Sequence, residues 1–122
     1  MNTINDYDSF FLPVDDLNEA KDYYENILGL PLKFNLSERG ILGFKVGSQE
    51  PAIILKDRNK HPSAKLTIWF EVDDVNDLYD KLKNKGVKFL SEPFQINKGI
   101  AVEFEDPFGN RLGFTSYKER IR

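Results

Sequence analysis

One histidine, no cysteine and twenty carboxylates bound the chemistry this 122-residue chain can attempt. Thiolate nucleophiles, thiolate metal sites and disulfides are excluded by composition. A Ser-His-Asp arrangement would have to use His61, and no residue near it is marked as a nucleophile. His61 itself stands in a polar, proline-bearing stretch, DRNKHPSA, and is expected to be solvent-exposed. The remaining chemistry lies in carboxylates that share a strand face with aromatics. In LTIWFEV, residues 66–72, Trp69 and Glu71 alternate with Ile68 and Phe70. In GIAVEFE, residues 99–105, Glu103 and Glu105 alternate with Val102 and Phe104. Arg111 opens RLGFTSY, and Phe11 lies between Phe10 and Leu12 in SFFLPV. Phe11, Trp69, Glu71, Glu103 and Arg111 are the candidate ligand-binding residues. Aromatics among carboxylates suit a flat or cationic small molecule. The same face would also serve as a solvated sheet surface, or as a seam on which Trp69 meets a second subunit.

Two nearly identical strings position these residues. VDDLNEA at 14–20 returns as VDDVNDL at 72–78, about half a chain away. In each, the second Asp is placed to cap a helix: Asp16 with Glu19 three residues on, Asp74 with Asp77 three residues on. Apolar residues follow at helical spacing, Leu17, Ala20, Tyr24, Ile27 and Leu28 in the first copy, and Val75, Leu78, Tyr79 and Leu82 in the second. Gly29 and Gly86 end the two helices. The acids of both strings are read as helix caps, since a carboxylate there satisfies free N–H groups and the positive end of the helix dipole.

The strands repeat too. Phe10, Leu12 and Val14 alternate before the first helix, and Leu66, Ile68, Phe70 and Val72 before the second. GILGFKV and AIILK follow in the first half, with a break from Gly47 to Pro51. In the second half a turn, DPFGN at 106–110, joins the last two strands, with Pro107 and Gly109 suited to a tight turn. The expectation is a single α+β domain over residues 1–122, made of two tandem βαβββ modules whose strands form a curved mixed sheet with a groove. Module one spans 8–57, the connector 58–65 and module two 66–117. Apolar alternate residues face the helices, and the candidate residues face the groove.

The ordered set of signals (paired VDD helix starts, LGL at 28–30, and DPFGN near the C-terminus) resembles the glyoxalase/bleomycin resistance/dioxygenase superfamily, also called the vicinal oxygen chelate (VOC) fold. The resemblance covers about residues 8–117. It implies paired modules, frequently a homodimer, and in catalytic members a divalent metal held by His near the start of each module's first strand and Glu on the last. Carried over by position, those ligand sites fall on Ser9, Thr67 and Gly113. None of the three is a ligand that a borderline or soft metal favours. The resemblance is therefore nearest in type to members without a metal that bind a ligand, as the bleomycin-resistance proteins do.

The expected function is binding of a small aromatic or cationic organic molecule, with no metal and no other cofactor; catalytic residues are unassigned. The alternative is an enzyme of lyase, isomerase or dioxygenase type, using a carboxylate metal site built from Glu71, Glu103 and Glu105, or acid–base chemistry by one carboxylate. A module whose groove is filled by its partner subunit is a third reading. A net charge of −3 offers no basic field for nucleic acid. No apolar run reaches the roughly 20 residues of a membrane span. The polar start MNTINDYDS lacks the features of a secretory signal, so a cytoplasmic location is expected.

Overall fold

The computed structural model describes residues 4–48 and 52–118. The outer parts of two expectations lie outside those residues: Met1–Thr3 of the polar start, and Gln49–Pro51 of the break after Gly47. The chain forms two compact units. Ser9–Leu66 make the first, and the described residues before Ser9 and after Leu66 make the second.

The first unit holds most of β1 (Ile4–Val14), α1 (Leu17–Asp22), β2 (Leu32–Leu36), β3 (Ile41–Lys45) and β4 (Ala52–Asp57). Its strands are ordered β2-β3-β4-β1. β1 runs parallel to β4, and the other neighbours are antiparallel. The parallel pair is possible because the helix intervenes between the two strands. Leu42, Phe44 and Leu55 form the buried core, with Leu12, Val14, Leu17, Ala20 and Tyr24 packed against it.

The second unit repeats the plan with β5 (Thr67–Val72), α2 (Val75–Asn84), β6 (Lys88–Phe89), β7 (Phe94–Ile96), β8 (Gly99–Glu105) and β9 (Arg111–Tyr117). Its order is β5-β9-β8-β6, with β7 also on β8, and β5 is parallel to β9. Val72, Val75, Leu78, Val102 and Phe114 are its buried core, flanked by Phe70, Tyr79, Leu82, Phe89 and Phe104. The α+β class and the tandem modules are as the repeat predicts, and of the apolar alternate residues Phe70 and Val72 of β5, Ile100, Val102 and Phe104 of β8 and Phe114 of β9 pack in the core with α2.

Both caps form. The Asp16 carboxylate accepts from the Glu19 N–H at 3.1 Å, and Asp74 accepts from Asp77 at 3.1 Å. The helices they start differ. α2 runs for ten residues and buries Val75 and Leu78. α1 lasts six residues and then widens into a π-helical turn, Tyr23–Ile27, closed by the Leu28 N–H on the Tyr23 carbonyl at 2.9 Å. Wider winding shifts the phase of the apolar stripe. That corrects the expected packing of Ile27 and Leu28, which are 67% and 49% exposed. Leu66 and Val46 also fall just beyond their strands and are exposed.

Two strands are longer or more numerous than the pattern predicts. β1 begins at Ile4, five residues before the expected Ser9, and its stretch Ile4–Asp8 belongs to the second unit. β7 pairs with β8 through Ile96 and Gly99, leaving Asn97 and Lys98 as the turn. Lys98 takes a positive φ of 63°. A glycine there would have announced the hairpin.

Candidate functional site

Register in the second unit arranges the candidate residues in rows on the face opposite α2. Trp69 pairs with Gly113, and Gly113 with Glu103. Glu71 pairs with Thr115, and Thr115 with Ala101. Thr67 pairs with Arg111, and Arg111 with Glu105, whose carboxylate holds Lys88 at 2.9 Å. Trp69, Glu71, Glu103 and Arg111 therefore share one face, as the alternation predicts. Strands stand about 4.8 Å apart. Glu103 is thus two strands, about 10 Å, from Trp69 at the backbone, with only a glycine between them.

That glycine shapes the row. A Cβ on Gly113 would overlap Cε3 and Cζ3 of Trp69 and stand 2.8 Å from Cδ2. The six-membered ring of the indole therefore occupies the place of a side chain at Gly113. Trp69 is 5% exposed and Glu71 4%, while Glu103 and Arg111 are half-buried. The indole is already covered within one chain, so it needs no second subunit to bury it.

The fifth candidate, Phe11, sits in the first unit. The Lys56 ammonium stands 4.6 Å from the centre of its ring, a cation–π contact supplied by the chain itself. Phe11 pairs with Ile54 in the register in which Trp69 pairs with Gly113. The two aromatics are thus equivalent positions of the repeat.

Sequence reasoning missed a polar cluster next to Glu71. The Asp8 carboxylate accepts from the Tyr117 hydroxyl at 2.6 Å and from the Thr115 hydroxyl at 3.0 Å. Tyr7 stacks on Phe70 with ring centres 5.9 Å apart, and the Asn5 amide donates to Asp73 at 2.7 Å. Tyr117 and Thr115 were legible as groove-side residues of the last strand. Asp8 was not, because the residues before it carry no apolar alternation.

His61 corrects the expectation of an exposed histidine. It is half-buried, and its Nε2 lies 2.8 Å from the Arg39 carbonyl oxygen, tying the connector to the turn at Ser37–Arg39. Its role there is to hold backbone. DPFGN is a turn, as read. Asp106 accepts from the Asn110 side chain at 2.9 Å, the Asn110 N–H at 2.9 Å and the Phe108 N–H at 2.8 Å. These bonds, the Asn110 side chain foremost, hold the Asp106 carboxyl below its ordinary range.

The metal implied by the resemblance does not fit these residues. Ser9 and Thr67 are buried hydroxyls at 7% and 2% exposure, and Gly113 has no donor and carries the indole where a side chain would begin. Hydroxyls and a glycine do not make the imidazole–carboxylate set that holds a transition metal. Among the described residues no three His, Cys, Asp or Glu side chains gather into a potential metal cluster. That set aside the carboxylate centre considered for Glu71, Glu103 and Glu105. No helix among the described residues is long and apolar enough to cross a membrane.

Comparison with known proteins agrees with this fold. YurT, an uncharacterized protein of Bacillus subtilis (strain 168), is 29% identical over 113 residues, covering 81% of this chain and 89% of YurT. The hypothetical protein BH1468 of Bacillus halodurans C-125 superposes with a TM-score of 0.74 at 18% identity, covering 95% of this chain and 96% of that one. Methylmalonyl-CoA epimerase in complex with methylmalonyl-CoA and NH4+ superposes with a TM-score of 0.76 at 16% identity, covering 96% and 97%. At such identities the structural likeness speaks for the fold. The profile described as Glyoxalase/Bleomycin resistance protein/Dioxygenase superfamily matches residues 6–114, nearly the full length, and the chain belongs to that superfamily.

Proposed function

We propose that this protein binds a small organic molecule, aromatic or cationic, without a metal, on the Trp69–Glu103 face of its second unit. The observation that carries the reading is the row Trp69–Gly113–Glu103, flanked by Glu71 and Arg111. It sets an indole and carboxylates on one face: the carboxylates attract a cation by charge, and the indole offers an aromatic surface beside them. Because the indole is largely covered, a ligand meets only the small part of it that remains exposed. Glu103 and Arg111, half-exposed, supply the groups that orient it. Phe11, in the first unit, is taken by itself: a cationic ligand at its ring would compete with Lys56. A cytoplasmic homodimer is the setting proposed for this activity, and a role in drug sequestration belongs to the same reading.

Trp69 is the sole tryptophan, so emission titrations report on this face alone. A panel of cationic, neutral and anionic aromatic compounds is expected to give saturable changes with the cationic members, weakened about tenfold by Glu103→Gln, the loss of one charged contact. A panel in which no member perturbs Trp69 refutes the proposal.

A second reading is favoured by the epimerase among the structural relatives. One carboxylate of this face would move a proton next to a carbonyl. Solvent deuterium entering methylmalonyl-CoA, and ceasing to enter with Glu103→Gln or Glu71→Gln, would support it; no exchange with wild-type protein rejects it for this substrate.

A further inference from the structure

We infer that Trp69 and Gly113 form an interlock that keeps the second unit metal-free, so that restoring ligand residues at the family positions cannot by itself rebuild a metal half-site. This rests on the metal-free reading above and adds what enforces it.

The argument is steric. Gly113 and Trp69 are register partners on adjacent strands, and the indole occupies the volume above the Gly113 Cα. Any side chain at 113 begins with a Cβ that would overlap Cε3 and Cζ3. Relief requires the ring to leave a site where it is 95% covered, because the obstacle is the rigid body of an indole and not the end of a flexible chain. A carboxylate at 113 and an indole lying on residue 113 are therefore mutually exclusive. The neighbouring row strengthens the point. Thr67, the second ligand position of this unit, is 2% exposed and lies on the same face. Residue 67 is two positions from Trp69 along the same strand face, so a histidine there would stand beside the ring.

The first unit reaches the same end by another route. The position equivalent to Gly113 there is Ile54, partnered by Phe11. An aliphatic side chain offers no donor, so no interlock is needed. Close glycine–aromatic packing recurs in that unit elsewhere, where Phe34 lies on Gly43 with a built Cβ 2.7 Å from Cδ2. That pair joins β2 and β3 and has no counterpart at the ligand position. Of these two glycine–aromatic contacts, Trp69–Gly113 is the one at a position the resemblance marks for a ligand.

The test uses the full chain and three readouts. Gly113→Ala adds only the Cβ, and is expected to shift the Trp69 emission to the red and lower the melting temperature. In a Trp69→Leu background, Gly113→Ala is expected to cost less than it does in the wild-type chain, because the clash is gone. Co2+ absorption then tests the metal consequence. Thr67→His/Gly113→Glu with Trp69 intact is expected to bind Co2+ at least tenfold more weakly than the same pair with Trp69→Ala. Equal Co2+ affinity with and without the indole overturns the inference, as does Gly113→Ala with unchanged emission and melting. Should the glutamate variants fail to fold, the alanine pair decides alone. Stoichiometric Co2+ binding by the wild-type chain would overturn the metal-free reading itself, whereas an inert Gly113→Ala overturns only the interlock.

Discussion

Replacing Tyr117 with Phe removes a single hydroxyl and tests how the N-terminal stretch of β1 is held. The Tyr117 hydroxyl donates to Asp8 at 2.6 Å, short enough to be a charge-assisted bond. Such bonds contribute about 1.5–3 kcal/mol when buried. Asp8 is half-buried and keeps the Thr115 hydroxyl at 3.0 Å, so water and Thr115 recover part of the loss. The expected cost is about 1–2 kcal/mol. For a domain of this size that corresponds to a fall in melting temperature of roughly 3–8 °C. Hydrogen exchange localises the effect: amides of Ile4–Asp8 are expected to lose protection while those of β8 and β9 keep theirs. Asp8→Ala should cost more, because the Thr115 hydroxyl, 4% exposed, would keep only its long 3.4 Å approach to the Phe70 carbonyl. Tyr117→Phe and Thr115→Val share Asp8 as their partner, so their effects should not add. If Tyr117→Phe and Asp8→Ala both leave melting and amide protection unchanged, the stretch is not held by this cluster and the reasoning fails.

The helix caps separate the two modules. Asp74→Ala and Asp16→Ala each remove one cap, at about 0.5–2 kcal/mol in urea unfolding. The larger loss is expected at Asp74, whose helix buries Val75 and Leu78 while α1 buries no residue fully. Leu78→Ala should cost about 2–5 kcal/mol by leaving a cavity against Val102 and Phe114, measured the same way. Asp106 gives a pH test. Its folded pKa is depressed, so the stability it contributes is present above the ordinary Asp value of about 3.9 and is lost as pH falls through the lower folded value. Asp106→Asn should flatten stability against pH in that acid window, and an unchanged profile would show that the turn does not contribute.

Most of the fold was written in the repeat. Cap residues, apolar stripes and period-two alternation are local signals, and VDDLNEA and VDDVNDL placed both helices to within a residue at their starts. The strand face of Trp69, Glu71, Glu103 and Arg111 followed from the same periodicity. What escaped had no local signature. The switch to π winding after Asp22 has no signal in the apolar spacing, and Ile27 and Leu28 lie outside the core. The stretch Ile4–Asp8 is polar and is held by partners more than sixty residues away, through Asn5–Asp73 and Asp8–Tyr117. The hairpin of β7 was hidden by a lysine at the positive-φ position. Burial along β5 was also illegible: Thr67, Trp69 and Glu71, the members of the mixed face, are more covered than Ile68 and Phe70, which alternate with them.

That inversion of burial bears on function. On the helix side, apolar packing would explain deep cover without reference to any ligand. On the opposite face the covered residues are a threonine, an indole and a carboxylate, and Gly113 has given up its side chain to admit the ring. A glycine inside a strand weakens it unless something must come close, and here the indole is what comes close. The face therefore holds a specific arrangement, an indole seated on a glycine. The glycine, one strand away from Glu103, fixes where the indole sits on this face. This argues for reading Gly113 and Trp69 as one functional unit, and it makes the response of Trp69 emission to substitution at Gly113 and at Glu103 the measurement on which the binding proposal and the interlock can be judged separately.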